Sequence, residues 1–393
     1  MYLYILTSYF AYFRISIENF NAYGQFISRG HFMAKDNMTD IFSKNHTLTT
    51  KGILVILLLA HHVFYPDIIT AYGINTILDD VFLVNRIVLY FKICIAGFAF
   101  LTAFGTARIL KAQEDKSFRN LFRLTATRLI KLESAVFIIY ILAIFYKQFI
   151  IGQSLKDLYT PDGRNIPLMA LRMFIDMIGM AAYALTPTFN VTWWYLSFAI
   201  LLICAMPFIY LAYEKFRYLL LPIGCLLPYT IPDSNSSFFS LLPIVILGTA
   251  FSYEGWFERI KANRKKGRPT IRLIAGCALL YIGFLVHGYV NITFCYIFAF
   301  VIPFLVYEYI SYIPVIQSIL KYLGKHATNI FLIHTFIYYY FYSDFIYSFH
   351  STWYILPVLT IASLGVSIVI ELVKKYSGYN RLVNKLLRYM ESI

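Results

Sequence analysis

Two adjacent histidines, His61 and His62, stand inside an apolar run that starts at Gly52, and Lys51 guards its mouth. Imidazole is the side chain best matched to moving a proton near neutral pH. An ionisable group within a membrane segment costs roughly 2.5 to 3.5 kcal/mol on insertion scales, so such a group faces a protein interior or a wet cavity. On an α-helix Lys51 and His62 fall close to one face, about 16 Å apart along the axis. His61 is turned about 100° from His62, so the two rings cannot address one site in the same way. The chemistry this pattern suggests is proton transfer at His62. The competing reading is a histidine that hydrogen-bonds a neighbouring helix and only holds the fold together.

Other polar groups interrupt the apolar runs and are candidate partners for His62: Arg86, Lys92, Glu133, His287, Glu308 and His334. Arg86, Glu133 and, less readily, Lys92 can instead snorkel to the nearer interface. His334 can serve as a helix–helix hydrogen bond. Arg123, Arg128 and Lys131 cluster where a basic segment turns apolar. Guanidinium forks match phosphate oxygens, although such a cluster is also a plain topology signal.

The elements that must position these residues are set by composition. Of 393 residues 60% are hydrophobic and 14% charged, against about 25% charged in a soluble chain. Mean hydropathy is +0.65. Apolar runs close to the length that crosses about 30 Å of hydrocarbon recur from Gly52 almost to the end. The fold expected is all-α, a polytopic membrane protein with about ten spans, near 52–65, 84–110, 129–151, 193–213, 218–231, 238–253, 271–289, 292–312, 329–347 and 353–373. The net charge of +14 belongs to cytoplasmic loops and anionic lipid headgroups rather than to nucleic acid. Cys94, Cys204, Cys225, Cys277 and Cys295 lie in apolar runs without metal or redox spacing, so neither a disulfide frame nor a metal is expected.

Segment 166–184 is apolar but holds Arg172 and Asp176. If it crossed, the loop with Arg259, Lys261, Arg264, Lys265, Lys266 and Arg268 would face outward, against the positive-inside rule. The segment is therefore expected to be an interfacial or re-entrant helix on the outer side, with both termini cytoplasmic. The division expected is a cytoplasmic segment 1–50, a membrane domain 51–373 and a basic tail 374–393. Residues 1–13 lack the features of a signal peptide, and translation beginning at Met33 or Met38 is the expectation.

The stretch from Lys51 to His62, a basic residue, ten residues, then histidine, resembles the opening helix of the membrane-bound acyltransferase-3 family. It selects His62 over His61. The run from Cys94 to Gly105 looks like the family's aromatic stretch, with Thr102 and Ala103 in place of the usual Ser and Gly. The Arg128-Leu-Ile-Lys131 motif is similar to its Arg-x-x-Arg, without the proline that commonly follows. Trp193-Trp-Tyr-Leu resembles its Trp-aromatic-Leu motif, and Leu323 to His334 its late glycine and histidine signature.

The resemblance implies a cell-membrane O-acyltransferase that moves an acyl group, usually acetyl, from cytoplasmic acyl-coenzyme A to a hydroxyl of a cell-surface polysaccharide. His62 would be general base or transient acyl carrier, supported by Lys51, His61, Lys92 and His334. Arg123, Arg128 and Lys131 would hold the coenzyme A phosphates, and Trp193 and Trp194 would face the acceptor. Acyl-coenzyme A, a glycan and membrane lipid are then the expected partners. The rival is a transporter or flippase whose pathway is lined by His62, Lys92 and Glu308, though no internal repeat supports it. A glycan polymerase would bring a large extracytoplasmic loop, and no loop here is long.

Overall fold

The structure is a computed structural model that describes residues 41–160, 166–230, 237–264, 269–290 and 292–392. The expectations for residues 1–13, Met33 and Met38, and those for Lys265, Lys266 and Arg268, lie outside the described residues. Among the described residues the chain is helical, with two isolated backbone bridges and no strand.

Helix α1 spans Lys44–Val63. It starts two turns earlier than the apolar run, at a cap where the Ser43 N–H donates to His46 Nδ1 at 2.9 Å, and the hydroxyls of Thr49 and Thr50 are satisfied on the carbonyls of Asn45 and His46, at 2.9 and 2.8 Å. Lys51 is therefore well inside α1, while His62 is its penultimate residue. Helix α2 (Val81–Tyr90) and helix α3 (Ile93–Ala112) make up one apolar stretch of 32 residues. At their junction the bonds tighten to the third preceding residue, Lys92 N–H to Leu89 O, Cys94 N–H to Phe91 O and Ile95 N–H to Lys92 O. That tightened turn, at Lys92, lies within the single span expected over 84–110, which remains one crossing stretch.

Helix α4 (Phe118–Phe145) continues through a wide π-helical turn to Ile150. Helix α5 covers Ile166–Met177, about 18 Å of rise and too short to cross. The two charges of that segment hold a cap. Asp176 is 1% exposed and accepts from Tyr159 Oη (2.6 Å), Thr188 Oγ1 (2.9 Å) and the Phe189 N–H (2.6 Å). Burial raises its carboxyl from the usual range, and those three donors oppose the shift. Arg172 donates to the Tyr159 carbonyl at 2.6 Å. Both charges are thereby engaged by the cap itself.

Helix α6 (Trp194–Phe216) and helix α7 (Leu220–Thr230) form one apolar stretch by sequence. It folds back at Arg217, whose φ is +53°. Helix α8 spans Ser237–Tyr253; Phe198 meets Phe238 at one end of it and Tyr213 meets Tyr253 at the other, so α6 and α8 run parallel and α7 returns. Helices α9 (Pro269–Val286) and α10 (Val301–Glu308, approached through Ile292–Ile297) follow.

Helix α11 (Pro314–Lys325) is amphipathic and packs against α1 so closely that a Cβ at Gly52 would overlap the Leu320 backbone, and one at Gly324 the Leu48 carbonyl. Only glycine permits this crossing. Helix α12 (Ala327–Thr335) runs into a π-helical turn Phe336–Phe341, helix α13 covers Thr352–Tyr376, and α14 (Tyr379–Ser392) is the amphipathic tail.

Among the described residues seven helical stretches are long and apolar enough to cross a membrane, or eight with the pair Phe238–Tyr253 and Trp256–Ala262, bent by 55°. The protein is a multi-pass membrane protein. Expected spans beyond that count fall where α7 shares a stretch with α6, and where 329–347 is broken by the π turn and the short helix Ser343–Tyr347. Several basic segments meet at the Lys51 end. Lys116 pairs with Glu214 (2.6 Å), Lys111 donates to the Tyr253 carbonyl (2.8 Å), and Arg217 and Arg259 reach Glu254.

Candidate active site

His62 lies between α1 and α12. Its ring centroid is 5.2 Å from that of His334, 5.0 Å from that of His61 and 6.5 Å from that of Tyr338. The three imidazoles are held differently. His61 is buried, and its Nδ1 donates to the Val88 carbonyl at 2.8 Å, which ties α1 to α2. His334 is fully buried, and its Nδ1 donates to the carbonyls of Ile330 (3.1 Å) and Phe331 (2.9 Å). Carbonyls only accept, so in His334 the proton sits on Nδ1 and the Nε2 lone pair is presented, 3.4 Å from Thr335 Oγ1. His62 is half-buried and has no hydrogen bond among the described residues, so both ring nitrogens are left for a substrate.

A polar seam holds this wall in place. Asn190 Nδ2 and Trp193 Nε1 both donate to the Leu332 carbonyl, at 3.3 and 3.2 Å, and the hydroxyls of Thr192 and Thr335 are 2.9 Å apart. Trp193 is 2% exposed, whereas Trp194 is half-buried with the Lys92 Nζ 5.8 Å from its ring centroid. The two tryptophans, adjacent in sequence, thus do different things: the first fixes α6 to α12, and the second meets Lys92. Tyr338 is not among the residues the sequence pattern singles out. Its signal is its place four residues after His334, on the same helical face.

At the other end of α1, Arg128 is the charged group whose field bears on Lys51. Neither has an ion-pair partner among the described residues. Arg128 Nη1 is buried without a hydrogen-bond partner. A buried donor left unpaired costs about 1–3 kcal/mol, and more when charged, so this atom calls for an anion. Lys131 is exposed, and Arg123 reaches the Glu391 carbonyl at 3.4 Å, tying α4 to α14. Of the three cations expected to act together, then, only Arg128 is gathered with Lys51.

The remaining intramembrane charges lie apart from this axis. Glu308 is buried between Arg272 (3.3 Å) and Arg264 (3.8 Å). Arg86 caps the end of α9, donating to the Phe284 and Leu285 carbonyls at 3.2 and 3.3 Å. Glu133 lines an apolar cavity of about 330 Å³ with Leu129, Phe137 and Met177.

A family model described as an acyltransferase domain matches residues 49–372. The chain belongs to the acyltransferase-3 family. Neither a curated protein nor a solved structure matches it. The matched stretch opens two residues before Lys51 and ends within α13, so every candidate residue named above lies inside the acyltransferase domain. An acyltransferase must present a base or carrier to an acyl donor and an acceptor, and of the three clustered imidazoles His62 is the one with no hydrogen bond among the described residues.

Proposed function

We propose that the protein transfers an acyl group, acetyl in the simplest case, from acyl-coenzyme A bound at the Lys51 end to a hydroxyl of a cell-surface glycan that approaches from the His62 end. The Lys51 end then faces the cytoplasm and the protein resides in the cell membrane, as its basic segments favour. One observation carries this reading: Arg128 Nη1 is buried and unpartnered, and the Arg128 charge bears on Lys51, which shares α1 with His62. The separation of about 16 Å along α1 lies within reach of an extended pantetheine arm.

Chemically, a neutral His62 nitrogen takes the proton of the acceptor hydroxyl as its oxygen attacks the thioester carbonyl. The C–S bond then breaks, an ester forms, and the imidazolium returns its proton to the leaving thiolate. Lys51 and Arg128 bind phosphate and hold the donor in register; they do not touch the reacting carbon. The transporter alternative needs an acidic group beside His62 and Lys92, and the carboxylate expected there, Glu308, is already taken by two arginines.

Arg128→Glu tests the donor site. In detergent, coenzyme A should raise the unfolding temperature of the native protein. The variant should bind coenzyme A at least about tenfold more weakly, since a charge-assisted hydrogen bond is worth about 1.5–3 kcal/mol. An unchanged coenzyme A shift in the variant would leave Arg128 a topological role only.

A further inference from the structure

Lys92 stands at the tightened turn between α2 and α3, half-buried, with its ammonium against Trp194. A cation on an aromatic ring gains about 0.5–1 kcal/mol when exposed and about 2 when desolvated. Placing a lysine within a membrane segment costs roughly 2.5 to 3.5 kcal/mol. Trp194 alone therefore does not offset the charge, and a counter-charge is expected. Among the described residues Lys92 has none. It makes no ion pair, and the ionisable neighbour acting on it is the Cys94 thiol. The carboxylate of Asp176 is taken by Tyr159, Thr188 and Phe189, and that of Asp80 by the Leu83 N–H.

The groups that feel the Lys92 charge are His61, His62, His287 and the Cys94 thiol. None of them is a carboxylate, so Lys92 sets a positive field beside His62 that no described acid cancels. Snorkelling would carry Nζ away from this cluster, yet its position at Trp194 keeps it within the bundle. A membrane site lined this way attracts anions and disfavours cationic partners.

We propose that Lys92, held by Trp194, is an acceptor-binding residue that selects a glycan unit bearing a carboxylate or phosphate close to the hydroxyl that is acylated. The inference rests on the acyltransferase reading above and names its substrate class. Lys92 binds the acceptor's anion; His62 performs the transfer.

The test maps ester-linked acyl groups, by mass spectrometry of surface glycan fragments, in strains carrying the native protein, His62→Ala, Lys92→Met or Lys92→Arg at matched protein level. The esters lost with His62→Ala should sit on units carrying a uronate carboxylate or a phosphate, and the fragment masses distinguish the two. Lys92→Met should lower those esters at least about tenfold, as expected for a desolvated charge pair that loses one partner, while Lys92→Arg retains most of them. Esters on neutral units would overturn the inference and leave the acyltransferase reading standing; that outcome needs no Lys92 variant to fold. Unchanged esters in an accumulating Lys92→Met strain would also overturn it. If His62→Ala lost no ester, both readings would fall.

Discussion

His62→Ala, assayed as purified protein with acetyl-coenzyme A and surface glycan, should transfer acyl groups about 10²–10⁴-fold more slowly than the native protein, the range expected when a general acid–base group is removed. Its coenzyme A-dependent rise in unfolding temperature should remain, because Lys51 and Arg128 lie about three turns away on the other side of α1's midpoint. His61→Ala should be the milder change. Its ring is committed to the Val88 carbonyl, so its loss loosens α1 against α2 without removing the nitrogen offered to a substrate. Equal losses in the two variants would argue that the histidine pair acts as packing.

The second large effect falls on the crossing of α1 and α11. Gly324→Ala should lower the unfolding temperature in detergent and weaken coenzyme A protection, because the new Cβ would meet the Leu48 carbonyl and push apart the helices that fix Lys51. Overpacking of this kind costs about 1–3 kcal/mol, and more when backbone must move. Gly365→Ala, in α13 with nothing within 4 Å of its added Cβ, is the control. That substitution should leave stability unchanged or slightly higher, since alanine is the better helix former. A Gly324→Ala protein as stable as Gly365→Ala would contradict the close crossing.

The legible parts of the site were those carried by spacing along one helix. Lys51 and His62 share α1, so an eleven-residue interval was enough to place them, and the late signature around His334 supplied the facing ring. The non-crossing of 166–184 was legible from loop charge, and α5 is indeed too short to span. Features that depend on contacts between helices were not. Nothing in the run from Val84 to Leu110 announces the tightened turn at Lys92, which contains no proline. Helix α11 escaped because its pattern is amphipathic rather than apolar, and its role is set by where Gly52 and Gly324 meet their neighbours.

The two tryptophans make the same point. Trp193 and Trp194 are equivalent on paper, yet a rotation of about 100° between neighbours buries the first against Leu332 and brings the second to Lys92. Likewise Arg123, Arg128 and Lys131 form one basic cluster in sequence, but they diverge around α4: one reaches α14, one buries a guanidinium nitrogen and bears on Lys51, and one is exposed. Residue type fixed the chemistry available, and helix rotation decided which residue can use it.

The most direct test of the central claim is a proton NMR spectrum of surface glycan from a deletion strain restored with either the native protein or His62→Ala at equal abundance. Ester acyl signals should return with the native protein and stay absent with His62→Ala, while total glycan is the same in both. Ester signals of equal intensity in the two strains, or a loss of glycan itself in the deletion strain, would contradict it.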